Sequence, residues 1–291
     1  MPELVATCWT SAGGAVPGAA DQRSTFTLED RVREVAQTGW VGMGLVADDL
    51  VAGRDTIGFD GLRALLQDNG LHHIEVELVQ DWWLPGFEDG QTDAGRRTEL
   101  LLEAAAALGA PFIKVGPGIG PAVDDIGPLV APLRRLAERA AAVGTRVALE
   151  PLPFAHIASM PQGAELVRAV DHPACGLAVD YWHVFRANTS LTELAACLSP
   201  EIVVAVELCD ADREMQGTEL FADTRDHRRY CGEGDQDVAG FIRTMREVGF
   251  GGPWGVEILS IEHRALPLRD ALIRARDTAL ACFDEASAPR T

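Results

Sequence analysis

The sequence predicts a single (β/α)8 TIM barrel. Three observations carry this expectation. Short β-rich runs alternate with helix-length segments from end to end, 291 residues suit one barrel of this kind, and no break in composition divides the chain. Residues 1–285 are expected to form the barrel, with Ala286–Thr291 as a frayed tail.

Eight strands are read at Leu4–Trp9, Val41–Val46, His73–Val79, Phe112–Gly116, Arg146–Glu150, Gly176–Tyr181, Ile202–Cys209 and Trp254–Leu259. Between them, apolar residues at helical spacing predict helices at Leu28–Thr38, Phe59–Asn69, Asp93–Leu108, Asp124–Val143, Gln162–Val170, Leu191–Leu198 and Val238–Val248. A closing helix follows at Leu266–Glu285. Several helices run into glycine, as at Asn69-Gly70, Leu108-Gly109, Val143-Gly144 and Val248-Gly249, where a left-handed residue ends the last turn. Three connections are long: Gln80–Gln91, Pro151–Pro161 and Asp210–Gln236. All follow strands, so in a barrel they gather on the C-terminal face, where barrel active sites are built.

Composition narrows the function. A formal charge of −19 repels phosphate backbones and anionic lipid, and no basic run with interleaved aromatics occurs, so nucleic acid and membranes are not expected partners. No apolar run approaches the ~20 residues that span a bilayer. The opening MPELVATCW lacks a signal-like basic start and reads as a strand, which points to the cytoplasm. Six cysteines are scattered without a C-x-x-C pair, against both a disulfide framework and a zinc ribbon.

Strand facing places the chemistry. Alternate side chains of a barrel strand point inward, and the large apolar parity marks the helix-facing side. With Val147 and Leu149 outward, Ala148 and Glu150 turn inward; with Leu177 and Val179 outward, Ala178 and Asp180 do. The same parity turns Ala205 and Glu207 inward on the seventh strand, and Gly255 and Glu257 on the eighth. Four successive strands thus put an acid at the mouth with a small residue two positions deeper. Converging carboxylates repel one another unless a cation sits among them. One divalent metal ion answers this, and an all-oxygen set favours Mn²⁺ or Mg²⁺ over zinc. For each acid taken alone, a solvated strand end is the plainer explanation; the recurring register argues against it.

The fragments ALEPLPF, AVDYWHVFR, VVAVELCDADR, and CGEGDQD followed by GFGGPWGVEILS resemble the xylose isomerase-like barrel superfamily. This group includes sugar isomerases and epimerases, inosose dehydratase, dehydroshikimate dehydratase and endonuclease IV. The resemblance implies that Glu150, Asp180 and Glu257 are metal ligands and that Glu150 and Glu257 form the acid/base pair. Glu207 departs from the histidine or glutamine more usual there, yet is expected as a fourth ligand. By the same resemblance His183 and Arg213 bind substrate. Arg228 and Arg229 stand where the family has an arginine before its Pro-Gly-Glu-Gly, here with Cys231 for the proline, and one of them is expected to reach the site.

Lys114 is the only lysine among 25 basic residues. With Ile113 and Val115 outward it points into the barrel above Phe112, where a buried amine needs a partner or a task. A salt bridge to Glu75, Glu77 or Glu150, a substrate anchor and a general base all fit. Trp9, Trp82 and Trp83 offer aromatic faces at the mouth for a sugar or cyclitol, or simply pack. The expected substrate is a small sugar or polyol-derived hydroxy-ketone, isomerised or epimerised after proton abstraction beside a metal-polarised carbonyl. Dehydration of a cyclitol ketone or dehydroshikimate-like acid is the alternative with the same first half. A DNA-repair nuclease is disfavoured by charge, and a non-catalytic accessory subunit is the alternative of another class. Assembly of copies into a homo-oligomer is compatible with any of these.

Overall fold

A computed structural model describes residues 1–288. Its eight parallel strands close in sequence order into one barrel. They are β1 (Leu4–Ala6), β2 (Gly42–Val46), β3 (His73–Val79), β4 (Phe112–Val115), β5 (Arg146–Leu149), β6 (Cys175–Asp180), β7 (Val203–Leu208) and β8 (Trp254–Val256). The helices are α1 (Cys8–Ser11), α2 (Leu28–Gln37), α3 (Ala47–Asp68), α4 (Asp93–Leu108), α5 (Gly127–Ala142) and α6 (Met160–Val170). After these come α7 (Tyr181–Arg186), α8 (Leu191–Cys197), α9 (Leu220–Asp226), α10 (Val238–Val248), α11 (Ile261–Arg264) and α12 (Leu268–Ser287).

Local chemistry sets the helix starts. Thr27 caps α2 by accepting from the Asp30 amide, and Ser190 and Glu193 form a reciprocal capping box on α8. α2 buries Val32 and Val35, and α10 buries Phe241, Ile242 and Met245, so their apolar stripes close the layer between barrel and helices. Burying each such side chain stabilises the fold by about 1.5–3 kcal/mol.

Inside the barrel, Phe112 packs with Ala148, Ala178 and Ala205 as one buried layer. A single large ring on β4 fills the space that small residues on β5, β6 and β7 leave free. That layer is the floor of the site, because the next inward positions are Lys114, Glu150, Asp180 and Glu207. Gly255 continues the pattern on β8, where a Cβ would lie 2.9 Å from Glu207 Cγ.

Several elements differ from their expected extents. β1 ends at Ala6, because the Thr7 and Thr10 hydroxyls bond to the Val256 carbonyl and turn the chain into α1, which carries Trp9. Helix starts directly after β2, and α3 is kinked at Gly58, whose φ of 71° is left-handed. Three short helices, α7, α9 and α11, occupy segments where no helix was expected. β5 and β8 stop one residue before Glu150 and Glu257, so these acids stand on the rim. α12 runs to Ser287, and residues 289–291 of the expected tail lie outside the described residues. All six cysteines are free. Among the described residues, no helix is long and apolar enough to cross a membrane.

Candidate metal centre and its pocket

Register brings the acids to one level. Asp180 on β6 pairs across the sheet with Glu207 on β7, and Glu207 in turn with Gly255, two residues before Glu257. Single ligand atoms from Glu150, Asp180, Glu207 and Glu257 all lie within 4.8 Å of one another, and all four residues are buried. His183, on α7 just past Asp180, forms a second such group with Glu150 and Asp180.

Two cations stand among them. The Lys114 ammonium, 1% exposed, lies 2.6 Å from Glu207, 3.3 Å from Glu257, 3.4 Å from Glu77 and 4.0 Å from Glu150. Of the sequence-expected partners Glu77 and Glu150 are both near, and Glu207 is nearer than either. The contact with Glu207 is short but misaligned: neither oxygen of that buried carboxylate makes a hydrogen bond. Arg228, also buried, donates to Asp180 Oδ2 at 2.6 Å and reaches Glu257 Oε2 at 3.1 Å. Its Nε and Nη2 donate to Thr224 Oγ1, which fixes the guanidinium plane.

Five buried carboxylates therefore face two buried cations, an excess of three negative charges if all ionise. The titration behaviour follows. Burial, then the neighbouring acids, push the Glu150 carboxyl up to about 8 against the pull of Lys114. Burial likewise raises Glu207 well above the usual carboxylate range, and Glu77 to a lesser extent. For Lys114 burial alone would lower the amine, but Glu150, Glu207, Glu257 and Glu77 outweigh it and hold it charged. His183 is kept neutral by burial and by Arg228 beside it. A divalent ion fits this donor set. It would reduce the excess charge to one and give the unpartnered Glu207 oxygens a ligand.

The site opens into a cavity of about 290 Å³ lined by Trp9, Glu77, Lys114, Glu150, His183, Arg228 and Glu257. Apolar walls come from Leu78, Ile119, Leu152, Phe154, Phe221 and Leu259. This is at the small end of small-molecule sites, roughly 300–1,000 Å³. A larger hollow of about 950 Å³ at Met1–Glu3, Trp254 and Phe283 contains none of these acids and lies by the N-terminal ends of β1 and β8.

Not every candidate residue arrives here. Arg213 is exposed; its amide donates to Asp235, and its carbonyl, with that of Asp212, accepts from Arg186. Arg186 is itself held by Asp223, so this hydrogen-bonded loop carries Arg213 away from the cavity. Arg229 pairs with Asp212 on the surface, leaving Arg228 as the arginine of the pair that enters. Trp82 is buried and donates to the Gly116 carbonyl, and Trp83 packs edge-on against His156; neither lines the cavity.

The segment that follows Arg228 and Arg229 is organised by Asp210. That buried carboxylate accepts from the amides of Ala211, Gly232, Gly234 and Gln236, folding the CGEG segment tightly beneath it. Gly234 is required there, since a Cβ would meet Asp210 Oδ1 at 2.4 Å. The cavity walls Phe154 and Phe221, which stack edge to face, and the pocket arginine Arg97 had no distinguishing spacing in the sequence.

The model of the family described as xylose isomerase-like TIM barrel matches residues 32–277. A 3-dehydroshikimate dehydratase of Pseudomonas aeruginosa is 28% identical over 255 residues, 84% of this chain and 38% of that protein. An inosose isomerase of Halalkalibacterium halodurans is 25% identical, covering 75% of this chain and 78% of the relative. The chain thus spans well under half the length of the dehydratase it matches. Among solved structures, the IolI protein with a bound zinc atom superposes with a TM-score of 0.80 over 99% of this chain and 100% of that one, at 18% identity. A D-psicose 3-epimerase superposes with a TM-score of 0.73 over 98% of this chain and 100% of that one, at 14% identity. At such identities these two likenesses concern the fold alone.

Proposed function

Since the chain belongs to the xylose isomerase-like TIM barrel family, we propose that it is a divalent-metal-dependent enzyme that removes a proton beside the carbonyl of a small hydroxy-ketone. The observation that carries this reading is the convergence of Glu150, Asp180, Glu207 and Glu257 beneath one small cavity. Mn²⁺ or Mg²⁺ suits the all-carboxylate set, and would polarise the substrate carbonyl and acidify the adjacent C–H.

The chain's own groups then have distinct tasks. Glu150, which lines the cavity 3.6 Å from His183, is suited to take a carbon-bound proton and later return one. Glu257 stands opposite as the second acid/base group, held in place by Arg228 and Lys114. His183 lies 3.6 Å from Glu150, and its buried Nδ1 has no hydrogen-bond partner among the described residues. A neutral imidazole so placed can fix a substrate oxygen without adding charge. Lys114 balances the acids and can hold a developing oxyanion. Trp9, Phe154 and Phe221 exclude water around the reacting carbon.

Proton return from the opposite face gives epimerisation, and return to the neighbouring carbon gives isomerisation. Loss of a β-hydroxyl instead gives dehydration, a second reading favoured by the 3-dehydroshikimate dehydratases of two Pseudomonas species among the relatives. The test is an NMR screen of ketoses, cyclitol ketones and cyclic keto acids in deuterated water with the metal-loaded protein. Deuterium should enter the carbon next to the carbonyl, and the product separates the three outcomes. Turnover of a substrate with no exchange or loss at that carbon would refute the reading.

A further inference from the structure

We propose that Arg97 is the anchor for a carboxylate on the substrate, so that this pocket takes an anionic hydroxy-ketone and not a neutral sugar. The inference rests on the reading of the cavity as the substrate site.

Arg97 lies on α4 and lines the same cavity as Lys114, Glu150 and Glu257. The other two cations of that cavity already face several acids each. Lys114 is held among Glu77, Glu150, Glu207 and Glu257, and Arg228 bridges Asp180 and Glu257. Arg97 makes no ion pair and no hydrogen bond among the described residues. The contrast with the rest of the chain is sharp. Its neighbour Arg96 pairs with Asp93, and the helix-surface arginines Arg135, Arg139 and Arg274 pair with Glu88, Glu99 and Glu233. Apart from Arg213, which is exposed and outside the cavity, every other described arginine side chain pairs with a carboxylate or donates to a hydroxyl or, as with Arg134, Arg146 and Arg168, a backbone carbonyl. In a chain of net charge −19 with 44 acids, Arg97 is set apart by having neither an ion pair nor a side-chain hydrogen bond while lining the pocket.

A guanidinium is a rigid fork that matches a carboxylate with two parallel hydrogen bonds. The surrounding wall leaves few competitors. The same lining includes the uncharged Gln22, Gln80, Leu78 and Ile119, and its acids Glu77, Glu150 and Glu257 already face Lys114. Charge also limits the ligand. The acids on the barrel floor already outnumber their cations, and one free arginine can balance a monoanionic carboxylate but not a dianionic phosphate. One cavity of about 290 Å³ is lined both by Arg97 and by Glu150 and Glu257, so a small molecule in it would turn its carboxylate to Arg97 and its reacting end to the acids.

The test measures binding and is independent of turnover. Wild type, Arg97→Gln and Arg97→Lys are titrated with 3-hydroxybenzoate and, separately, with 3-hydroxybenzamide, by calorimetry or ligand-observed NMR. These probes share ring and hydroxyl and differ in the charge of one group. Wild type should bind the acid at least tenfold more tightly than the amide. Arg97→Gln should erase that preference while leaving the amide unchanged, and Arg97→Lys should keep part of it. Equal affinity for acid and amide in wild type, no binding of the acid, or a preference that survives Arg97→Gln would each overturn the proposal. Failure of the deuterium screen would instead strike the proton-abstraction reading and leave this result standing.

Discussion

Lys114→Met is the substitution whose consequence can be worked furthest from the structure. It keeps the length of the side chain and removes a charge that lies within 4.0 Å of four glutamates. Breaking a buried ion pair from one side costs about 3–5 kcal/mol, because the other charge is left unbalanced. At about 2 °C per kcal/mol for a chain of this size, the melting temperature should fall by about 6–10 °C in chelator. Bound metal acts on the same charge. An ion that binds only the folded state stabilises it by RT ln(1 + L/Kd), where L is the free ion concentration. With one cation removed from the cluster, the variant should gain more from millimolar Mn²⁺ than wild type does. Differential scanning calorimetry with EDTA and with Mn²⁺ reads both effects. Lys114→Arg separates charge from shape: it keeps the charge but brings a larger planar group into a position that is 1% exposed. Its turnover should fall further than its stability. A Lys114→Met variant that melts like wild type in both conditions would refute the charge-balance argument.

Three other outcomes are expected. Asp210→Ala removes the acceptor of four backbone amides and should cost at least about 3 kcal/mol in urea unfolding, since hydrogen bonds to a charged group contribute roughly 1.5–3 kcal/mol each. His263 is pushed down to about 4 by burial, and its ring bonds the Tyr230 hydroxyl and the Thr10 carbonyl as a neutral imidazole. A depressed histidine stabilises the fold above its unfolded pKa of about 6.5, and that contribution is lost as pH falls toward 4. From pH 7 to 5 wild type should therefore lose about 2 kcal/mol that His263→Gln does not, and parallel pH profiles of the two would refute this. Phe221→Ala opens the wall next to Phe154 and should raise KM more than it lowers kcat; an unchanged KM would remove Phe221 from the substrate wall.

How far the sequence could be read depended on how each part is encoded. The inward parity of Glu150, Asp180, Glu207 and Glu257 was legible because a strand alternates strictly, and Ala148, Ala178, Ala205 and Gly255 fixed the phase. Lys114 was legible as an interior group for the same reason. Its choice of Glu207 as nearest partner was not, because that depends on the distance across the barrel and not on either strand alone. The β1 end was misread because Thr7 and Thr10 bond to β8, some 250 positions away in the chain. Arg213 shows the limit of spacing: its position after Glu207 suggested substrate contact, but Arg186 and Asp223 direct that loop elsewhere. Which of Arg228 and Arg229 enters could not be read from their adjacent positions, since Thr224 and Asp180 hold the one and Asp212 the other. Arg97 carried no signal at all, since an arginine on an amphipathic helix is indistinguishable from its paired neighbours until the cavity is seen.

The central claim is that the four inward acids make a single metal centre, and metal content tests it most directly. Protein loaded with Mn²⁺ and dialysed should retain about one ion per chain by mass spectrometry. Glu150→Gln and Asp180→Asn should each lose most of it while their circular dichroism stays that of wild type. Full metal content in both variants, or none in a folded wild type, would contradict the account.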